Sequence, residues 1–224
     1  MDKNTSAILA LHIEKTVKAL KENNIAAVYV PTVPDVVPAV QALLREGDTV
    51  AFGGSRSLYE AGVIEHLRGG RYKLLDRDDP VLTPEQVQQV QRQAFFADAF
   101  LCSANALTEN GEIYNVDGGG NRVAAVLYGP KSVIMVVGSN KLVRNLDEAV
   151  RRVKTMAAPA NAVRLSRKTY CAGKGECMSL TSGKIGMTSG CNSEGRICSH
   201  YTVLGYQLNP ERIKVIVVGE PLGY

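Results

Sequence analysis

The side chains best suited to chemistry lie between residues 99 and 123, where the sequence reads AFLCSANALTENGEIYNVDGGGNRV. Glu109 and Asp117 are the candidate catalytic acids, because a carboxylate in a partly dry cleft can exchange protons near neutral pH. The three glycines after Asp117 let the backbone approach a ligand closely. We expect Asn121 to cap a helix beginning at Arg122, whose free amides favour an anion. The segment therefore predicts a site for a small carboxylated or phosphorylated molecule.

A second glycine-rich passage, FGGSRS at residues 52–57, lies between a predicted strand and a predicted helix. Its amides, its hydroxyls and Arg56 suit a phosphate or carboxylate, although tight turns of this kind also occur for structural reasons alone. Lys141 follows another predicted strand and either brings an ammonium to the same edge or is a solvated residue at a helix start. Glu109 also fits an ordinary reverse turn. The candidate ligand-binding residues are Gly53, Gly54, Ser55, Ser103, Asn105, Asn115, Gly118, Gly119, Gly120, Asn121, Arg122 and Lys141.

Four of the five cysteines are concentrated near the C-terminus with the spacing C-x5-C-x13-C-x6-C; they are Cys171, Cys177, Cys191 and Cys198. The surrounding cysteine segment, residues 166–199, is rich in Gly, Ser and Lys and lacks the apolar periodicity of a core. Four thiolates predict a zinc ion or an iron–sulfur cluster that replaces the missing core, and His200 is near enough to substitute for one ligand. Free or redox-active thiols and disulfides are the alternatives. Cys102 fits a small buried apolar residue.

Apolar, β-branched runs alternate with amphipathic helical patterns along the rest of the chain. This alternation predicts a Rossmann-like α/β fold with an open, mostly parallel sheet flanked by helices, and a single domain over residues 1–224 that includes the cysteine segment. In such sheets ligands bind beyond the carboxyl ends of the strands, where the polar residues above fall. The predicted strands are Ala26–Val30, Thr49–Phe52, Tyr72–Leu75, Asp98–Cys102, Ser132–Val137 and Lys214–Val218. The predicted helices are 4–23, 34–45, 55–67, 83–97 and 147–157.

Composition restricts the partners and the location. A net charge of +4 over 224 residues, without tryptophan or a long basic block, argues against nucleic acid. No apolar run approaches the ~20 residues of a membrane span, and no signal peptide is recognisable, so we expect a cytoplasmic protein. Nucleotide-binding, serine-hydrolase and zincin motifs are not found in the sequence. Apolar strand edges and surface helices would allow a homo-oligomer.

Residues 97–143, ADAFLCSANALTENGEIYNVDGGGNRVAAVLYGPKSVIMVVGSNKLV, resemble the LUD domain family, which is named for lactate utilisation proteins. FGGSRSLYEAG and the terminal VIVVGEPLGY extend the resemblance over nearly the whole chain. The resemblance implies a sheet like those of ribose-phosphate isomerases, glucosamine-phosphate deaminases and CoA-transferases. It also implies partner subunits that together oxidise L-lactate to pyruvate. Three functions remain: an anion-binding lactate-utilisation protein, a non-catalytic zinc or iron–sulfur subunit, or an enzyme of the isomerase or CoA-transferase type.

Overall fold

A parallel sheet forms the centre of the fold. The computed structural model describes residues 2–183 and 185–224; Met1 and Lys184, the latter within the predicted cysteine segment, lie outside the described residues. The strands are β1 (Ala26–Val30), β2 (Thr49–Phe52), β3 (Lys73–Leu75), β4 (Ala99–Cys102), β5 (Ala106–Thr108), β6 (Ile113–Asp117), β7 (Ser132–Gly138), β8 (Leu142–Val143), β9 (His200–Leu204) and β10 (Ile213–Val218). Six of them form one all-parallel sheet in the order β1–β10–β7–β4–β2–β3. The predicted α/β fold is confirmed, and each of its six predicted strands agrees to within one residue.

Helices cover both faces of this sheet. They are α1 (Lys3–Glu22), α2 (Val36–Gln41), α3 (Arg56–Glu60), α4 (Val63–Arg68), α5 (Pro84–Gln93), α6 (Asn121–Tyr128), α7 (Leu146–Arg152), α8 (Ala158–Arg164), α9 (Tyr170–Lys174) and α10 (Met178–Thr181). Alternate residues of β7 face opposite sides: Met135 packs in one core with α1 and α6, while Ile134 packs in the other with α2, α3 and α4. Each fully buried Val, Ile or Leu contributes roughly 1.5–3 kcal/mol, so the two cores fix the sheet firmly.

A second, four-stranded sheet in the order β8–β5–β6–β9 was not predicted. Its strands are short, and β6 carries polar residues among its apolar ones, so the sequence resembles a loop. The predicted reverse turn at Glu109–Gly111 does join β5 to β6, with Gly111 in a left-handed conformation at φ +78°. A Cβ on Gly111 would come within 2.6 Å of the backbone of Ala19, so this turn packs directly on α1. The second sheet therefore holds the polar segment at a fixed place beside the main sheet.

Several predicted helices differ from the observed ones. The predicted helix 55–67 is two helices, α3 and α4, because Gly62 between them adopts φ +69°. The predicted helix 34–45 is a short 3₁₀ turn followed by α2. The helix predicted to end at Ala157 passes through a π-helical turn, Val153–Ala157, and continues as α8. Among the described residues no helix is long and apolar enough to span a bilayer.

Candidate functional site

A cleft lies at the carboxyl ends of the central strands, and we call it the strand-end cleft. It encloses about 340 Å³, within the range of small-molecule sites. The two predicted glycine-rich loops meet there, one after β2 and the other after β6, together with residues that follow β4 and β7. The predicted residues on its wall are Gly54, Ser55, Ser103, Asn105, Asp117, Gly118, Gly119, Asn121, Arg122 and Lys141.

The guanidinium of Arg122 organises one side of the cleft. Its Nε and one terminal nitrogen donate to Asp117 Oδ1 at 2.8 and 2.6 Å. That terminal nitrogen also donates to Asn105 Oδ1 at 2.8 Å. The other terminal nitrogen donates to the Ser103 carbonyl at 2.9 Å and to Asn115 Oδ1 at 2.8 Å. A guanidinium has five N–H donors, and these contacts use all of them. Arg122 therefore positions the loops around it rather than offering free donors to an anion.

The helix N-terminus predicted to hold an anion is occupied by the protein itself. The prediction that Asn121 caps a helix beginning at Arg122 is wrong, because α6 begins at Asn121 and its cap is Gly120, at φ +80°. Asp117 Oδ2 accepts a hydrogen bond from the Val123 amide at 3.1 Å, inside the first turn. A carboxylate is stabilised at this end of a helix dipole, so Asp117 takes the place foreseen for a ligand.

Lys141 is the buried cation of the cleft. It ends the short turn after β7 and is only 3% exposed. Its ammonium donates to Ser57 Oγ at 2.8 Å and to Ser103 Oγ at 3.0 Å. Burial, followed by the charges of Arg152 and Arg122, lowers the pKa of Lys141 to about 7. The amine thus changes protonation near neutral pH and contacts hydroxyls rather than a carboxylate in the described part of the chain.

Residues 219–224 form a terminal strap that supports Lys141 and completes the wall. Leu222 is buried in the core, and its carbonyl accepts from Ser57 Oγ at 3.1 Å. A Cβ on Gly138 would lie 2.4 Å from the Leu222 nitrogen, so the strap can pass only because glycine ends β7. The last residue of the strap, Tyr224, reaches the cleft.

Sequence reasoning missed several cleft residues, which come from distant parts of the chain. Ser57 belongs to the FGGSRS motif, but its hydrogen bond with Lys141 joins residues 84 positions apart, and no sequence pattern predicts such a contact. The charges of Arg164 and Arg167 were a weak signal, because the two arginines lie in the sequence RLSR at the C-terminal end of α8. The missed residues on the wall include Arg77, Asn161, Arg164, Arg167 and Tyr224.

The structure does not bring Glu109 to the strand-end cleft. Its carboxylate instead accepts from His12 Nδ1 and from Lys15 Nζ, both at 2.7 Å, on α1. The hydrogen bond from Lys15 is the main reason that the pKa of Glu109 is lowered. This environment keeps the carboxylate ionised and joins the β5–β6 turn to α1.

Three other predicted ligand residues lie behind the cleft wall. Gly53 packs against the aliphatic part of Arg122, and a Cβ there would meet it at 3.3 Å. Asn115 is 1% exposed and accepts from Arg122. Gly120 packs against the ring of His200. These three residues shape the wall without lining it.

The four cysteines of the cysteine segment line one enclosed cavity, which we call the cysteine pocket. Burial, and next the nearby Cys171 and Cys177, raises the pKa of the Cys198 thiol to about 11. His200, the predicted substitute ligand, lies against Gly120 instead. Within residues 2–183 and 185–224, no three Cys, His, Asp or Glu side chains are arranged around a single metal-ion position.

Comparisons with known proteins agree with this fold. The family model described as the LUD domain matches residues 13–218. The crystal structure of a DUF162 family protein from Deinococcus radiodurans is similar with a TM-score of 0.52 and 19% identity, over 94% of this chain and 98% of that one. At this identity the likeness shows the fold. No curated protein matches the sequence significantly. Because the family model spans most of the chain, this protein belongs to the LUD domain family.

Proposed function

We propose that this protein binds a small carboxylated or phosphorylated molecule in the strand-end cleft. The observation that carries the proposal is the charge of the cleft wall. Among the described residues that line it, the cationic side chains are Arg56, Arg77, Arg122, Lys141, Arg164 and Arg167. Asp117 is the one acidic side chain there, and Arg122 neutralises it at 2.6 Å. Arg56 pairs with Glu60 at 3.7 Å and Arg77 with Asp78 at 3.3 Å, so Lys141, Arg164 and Arg167 carry the remaining positive charge, which favours an anion of a size that fits the cleft.

Lys141 is the group that would contact the anion directly. It is buried beside two hydroxyls, and its charge has no ion-pair partner among the described residues. Burying a charge without a partner is costly, so an incoming carboxylate or phosphate would recover part of that cost. Arg164 and Arg167 would hold the outer part of the ligand. Asp117 would act indirectly by keeping Arg122 in place.

We further propose that the ligand is a small 2-hydroxy or 2-oxo acid and that the protein acts with partner subunits in oxidising L-lactate to pyruvate. The support is the family name together with a cleft that suits a short carboxylate. Of the predicted proton-transfer groups, Asp117 is engaged by Arg122, and Glu109 is held outside the cleft by His12 and Lys15 of α1. Lys141, with its pKa near 7, is the cleft group best suited to exchange a proton with such a ligand.

Thermal unfolding with added pyruvate, L-lactate or inorganic phosphate tests the proposal. We expect at least one anion to raise Tm in a saturable way in the wild type. The Lys141→Met variant should lose this stabilisation, since methionine keeps the length of the side chain but removes the charge. Lys131→Met, at an exposed lysine, is the matched control and should respond like the wild type. Failure of all three anions, or equal stabilisation of Lys141→Met, would contradict the proposal.

A further inference from the structure

The side-chain nitrogen of Lys141 has one position that its hydrogen bonds leave free. Ser57 Oγ donates its single proton to the Leu222 carbonyl at 3.1 Å, and Ser103 Oγ donates its proton to the Ala104 carbonyl at 3.4 Å. Both hydroxyls therefore accept from Lys141, at 2.8 and 3.0 Å. No further polar atom of the described residues hydrogen-bonds to this nitrogen. Two of its N–H groups are thus used, and one position remains for a ligand.

This free position favours the neutral amine, which carries a lone pair there. An ammonium has three N–H donors, and the third would find no acceptor among the described residues around a side chain that is 3% exposed. Burial and the charges of Arg152 and Arg122 act in the same direction and lower the pKa of Lys141 to about 7. About half of these amines are then neutral at pH 7, whereas an ordinary lysine is neutral in fewer than about one molecule in a thousand. Lys141 therefore offers a nucleophilic lone pair at neutral pH.

The turn after β7 and the terminal strap fix Lys141 in the cleft wall. Its neighbour Asn140 donates to the Gly223 carbonyl at 2.9 Å and accepts from the Leu222 amide at 3.1 Å. Among the described residues that line the strand-end cleft, Lys141 is the only lysine. A desolvated lysine amine beside other cations is a nucleophile for carbonyl compounds, with which it forms an imine.

We propose that Lys141 forms an imine with the carbonyl carbon of a 2-oxo acid, so that the cleft captures 2-oxo acids covalently and holds 2-hydroxy acids by charge alone. This inference rests on the proposed function, because the carboxylate must first be bound in the strand-end cleft. In a 2-oxo acid the carbonyl carbon is bonded directly to the carboxylate carbon. An amine that contacts the carboxylate is therefore also beside the carbonyl group.

The step needs no co-reactant. The lone pair of Lys141 forms a bond to the carbonyl carbon, and the electron pair of the C=O bond moves to the oxygen. Both hydrogens of the amine then leave with that oxygen as water, and a C=N bond replaces the C=O bond. Ser57 Oγ and Ser103 Oγ already accept these two hydrogens, so they are placed to relay them. Water reverses the reaction and releases the acid.

Reductive trapping of the wild-type protein tests the inference. Cyanoborohydride at pH 7, added with pyruvate, converts an imine into a stable secondary amine. We expect a single adduct per chain, with the mass of pyruvic acid less one oxygen atom, and peptide mapping should place it on Lys141. The exposed Lys131 is the internal reference and should be modified at least about tenfold less. L-lactate should give no adduct, because it has no carbonyl group for the amine to attack.

The Lys141→Arg variant separates this inference from the anion proposal. Arginine keeps the positive charge but forms no imine, so the folded variant should keep a rise in Tm with pyruvate and lose the adduct. Lys131→Met should be trapped like the wild type, and circular dichroism checks that each variant is folded. A wild-type protein that pyruvate stabilises without an adduct on Lys141 overturns this inference and leaves the anion proposal standing, as does equal modification of Lys141 and Lys131. A protein that no anion stabilises and pyruvate does not modify contradicts both.

Discussion

The strand-end cleft and the cysteine pocket are built by opposite means. The cleft stands on parallel strands buried between two hydrophobic cores, and its loops are fixed by the strands that they follow. The cysteine pocket lies in a segment with only short helices, α9 and α10, held by Arg196 and a few hydrogen bonds to backbone carbonyls. The cleft is therefore framed by buried strands, whereas the pocket depends on short helices and on a small number of side-chain contacts.

This difference explains why a buried cation lacks an ionic partner in the cleft, whereas the cations of the pocket are hydrogen-bonded to the backbone. In the cleft, a rigid frame can keep Lys141 buried beside hydroxyls and so lower its pKa. In the pocket, Lys154 and Arg196 are tied to carbonyls of the segment itself. The buried strands can hold a charged side chain that has no ionic partner until a ligand binds. The cations of the cysteine pocket, in contrast, already form hydrogen bonds with the segment that they hold.

The largest expected change in a rate is faster proteolysis of the cysteine segment when two of its thiols are removed. In the Cys171→Ala, Cys191→Ala double variant, we expect proteolysis within residues 166–199 to accelerate about tenfold or more, since each ~1.4 kcal/mol of local stability is a factor of ten. The sheet should survive as a resistant fragment. Mass spectrometry of a limited trypsin digest, with the wild-type protein beside it, measures this. Equal cleavage rates would show that these two thiols do not order the segment.

The largest expected change in the stability of the whole fold concerns the ion pair that frames the cleft. Asp117→Asn leaves Arg122, only 14% exposed, without its charged partner, and replaces one of the two oxygens that accept from Arg122 and from the Val123 amide of α6. Breaking such a buried pair costs about 3–5 kcal/mol, so the free energy of unfolding should fall by this order. Urea denaturation measures it, with Asp147→Asn at an exposed position as the control. A loss no greater than in the control would mean that Arg122 does not organise the loops.

A smaller effect is expected at the mouth of the cleft. Arg164 donates to Asn161 Oδ1 at 2.8 and 3.0 Å, and Arg167 also lines the mouth of the cleft. Replacing both by Gln should weaken anion affinity by several fold, because exposed charges contribute about 0–1 kcal/mol each. Titration calorimetry with pyruvate measures the change, with Arg45→Gln as an exposed control outside the cleft. Unchanged affinity would show that Arg164 and Arg167 do not contribute to anion binding.

The smallest effect is expected at Glu109, outside both sites. Its partners on α1, His12 and Lys15, are half or more exposed, so Glu109→Gln should cost only about 1 kcal/mol of stability. Pyruvate affinity should remain unchanged, because the side chain does not reach the cleft. A large loss of affinity in a folded Glu109→Gln protein would show that the turn at residues 109–111 communicates with the ligand.

Much of the fold was predictable because strands buried on both faces carry a strong signal. The run SVIMVVG of β7 is apolar on both faces, and its prediction agrees with the structure to within one residue. The second sheet was not predictable, since β5 and β8 are two or three residues long and gain their stability from pairing with distant strands. Local patterns do not record such pairing.

The place of the strand-end cleft was predictable, but the contacts of its side chains were not. Glycine-rich loops after strands correctly indicated where polar groups gather, and these loops do meet in the cleft. Which side chain is free depends on long-range partners: Arg122 is saturated by residues of β6 and of the connection between β4 and β5, and Lys141 is buried against Ser57, which the terminal strap holds. The sequence gives no measure of these contacts, so it could not rank Lys141 above Asp117 or Glu109.

The pH dependence of pyruvate binding tests the central claim most directly. Pyruvate stays ionised throughout the range, while the Lys141 amine, with its pKa near 7, is neutral at pH 8.5 and charged at pH 6. Burial, and next the charges of Arg152 and Arg122, lower this pKa, whereas Glu60 and Cys102 act to raise it. An anion favours the charged form, so binding should take up a proton above pH 7 and affinity should rise as pH falls, by up to about tenfold per unit.

Titration calorimetry at pH 6, 7 and 8.5, in buffers with different ionisation enthalpies, measures both quantities. The account predicts tighter binding at pH 6 and proton uptake at pH 8.5 in the wild type and in Lys131→Met. Both effects should vanish in Lys141→Met. Binding that is independent of pH, or proton uptake that persists in Lys141→Met, would contradict the claim that Lys141 is the anion-binding centre of the cleft.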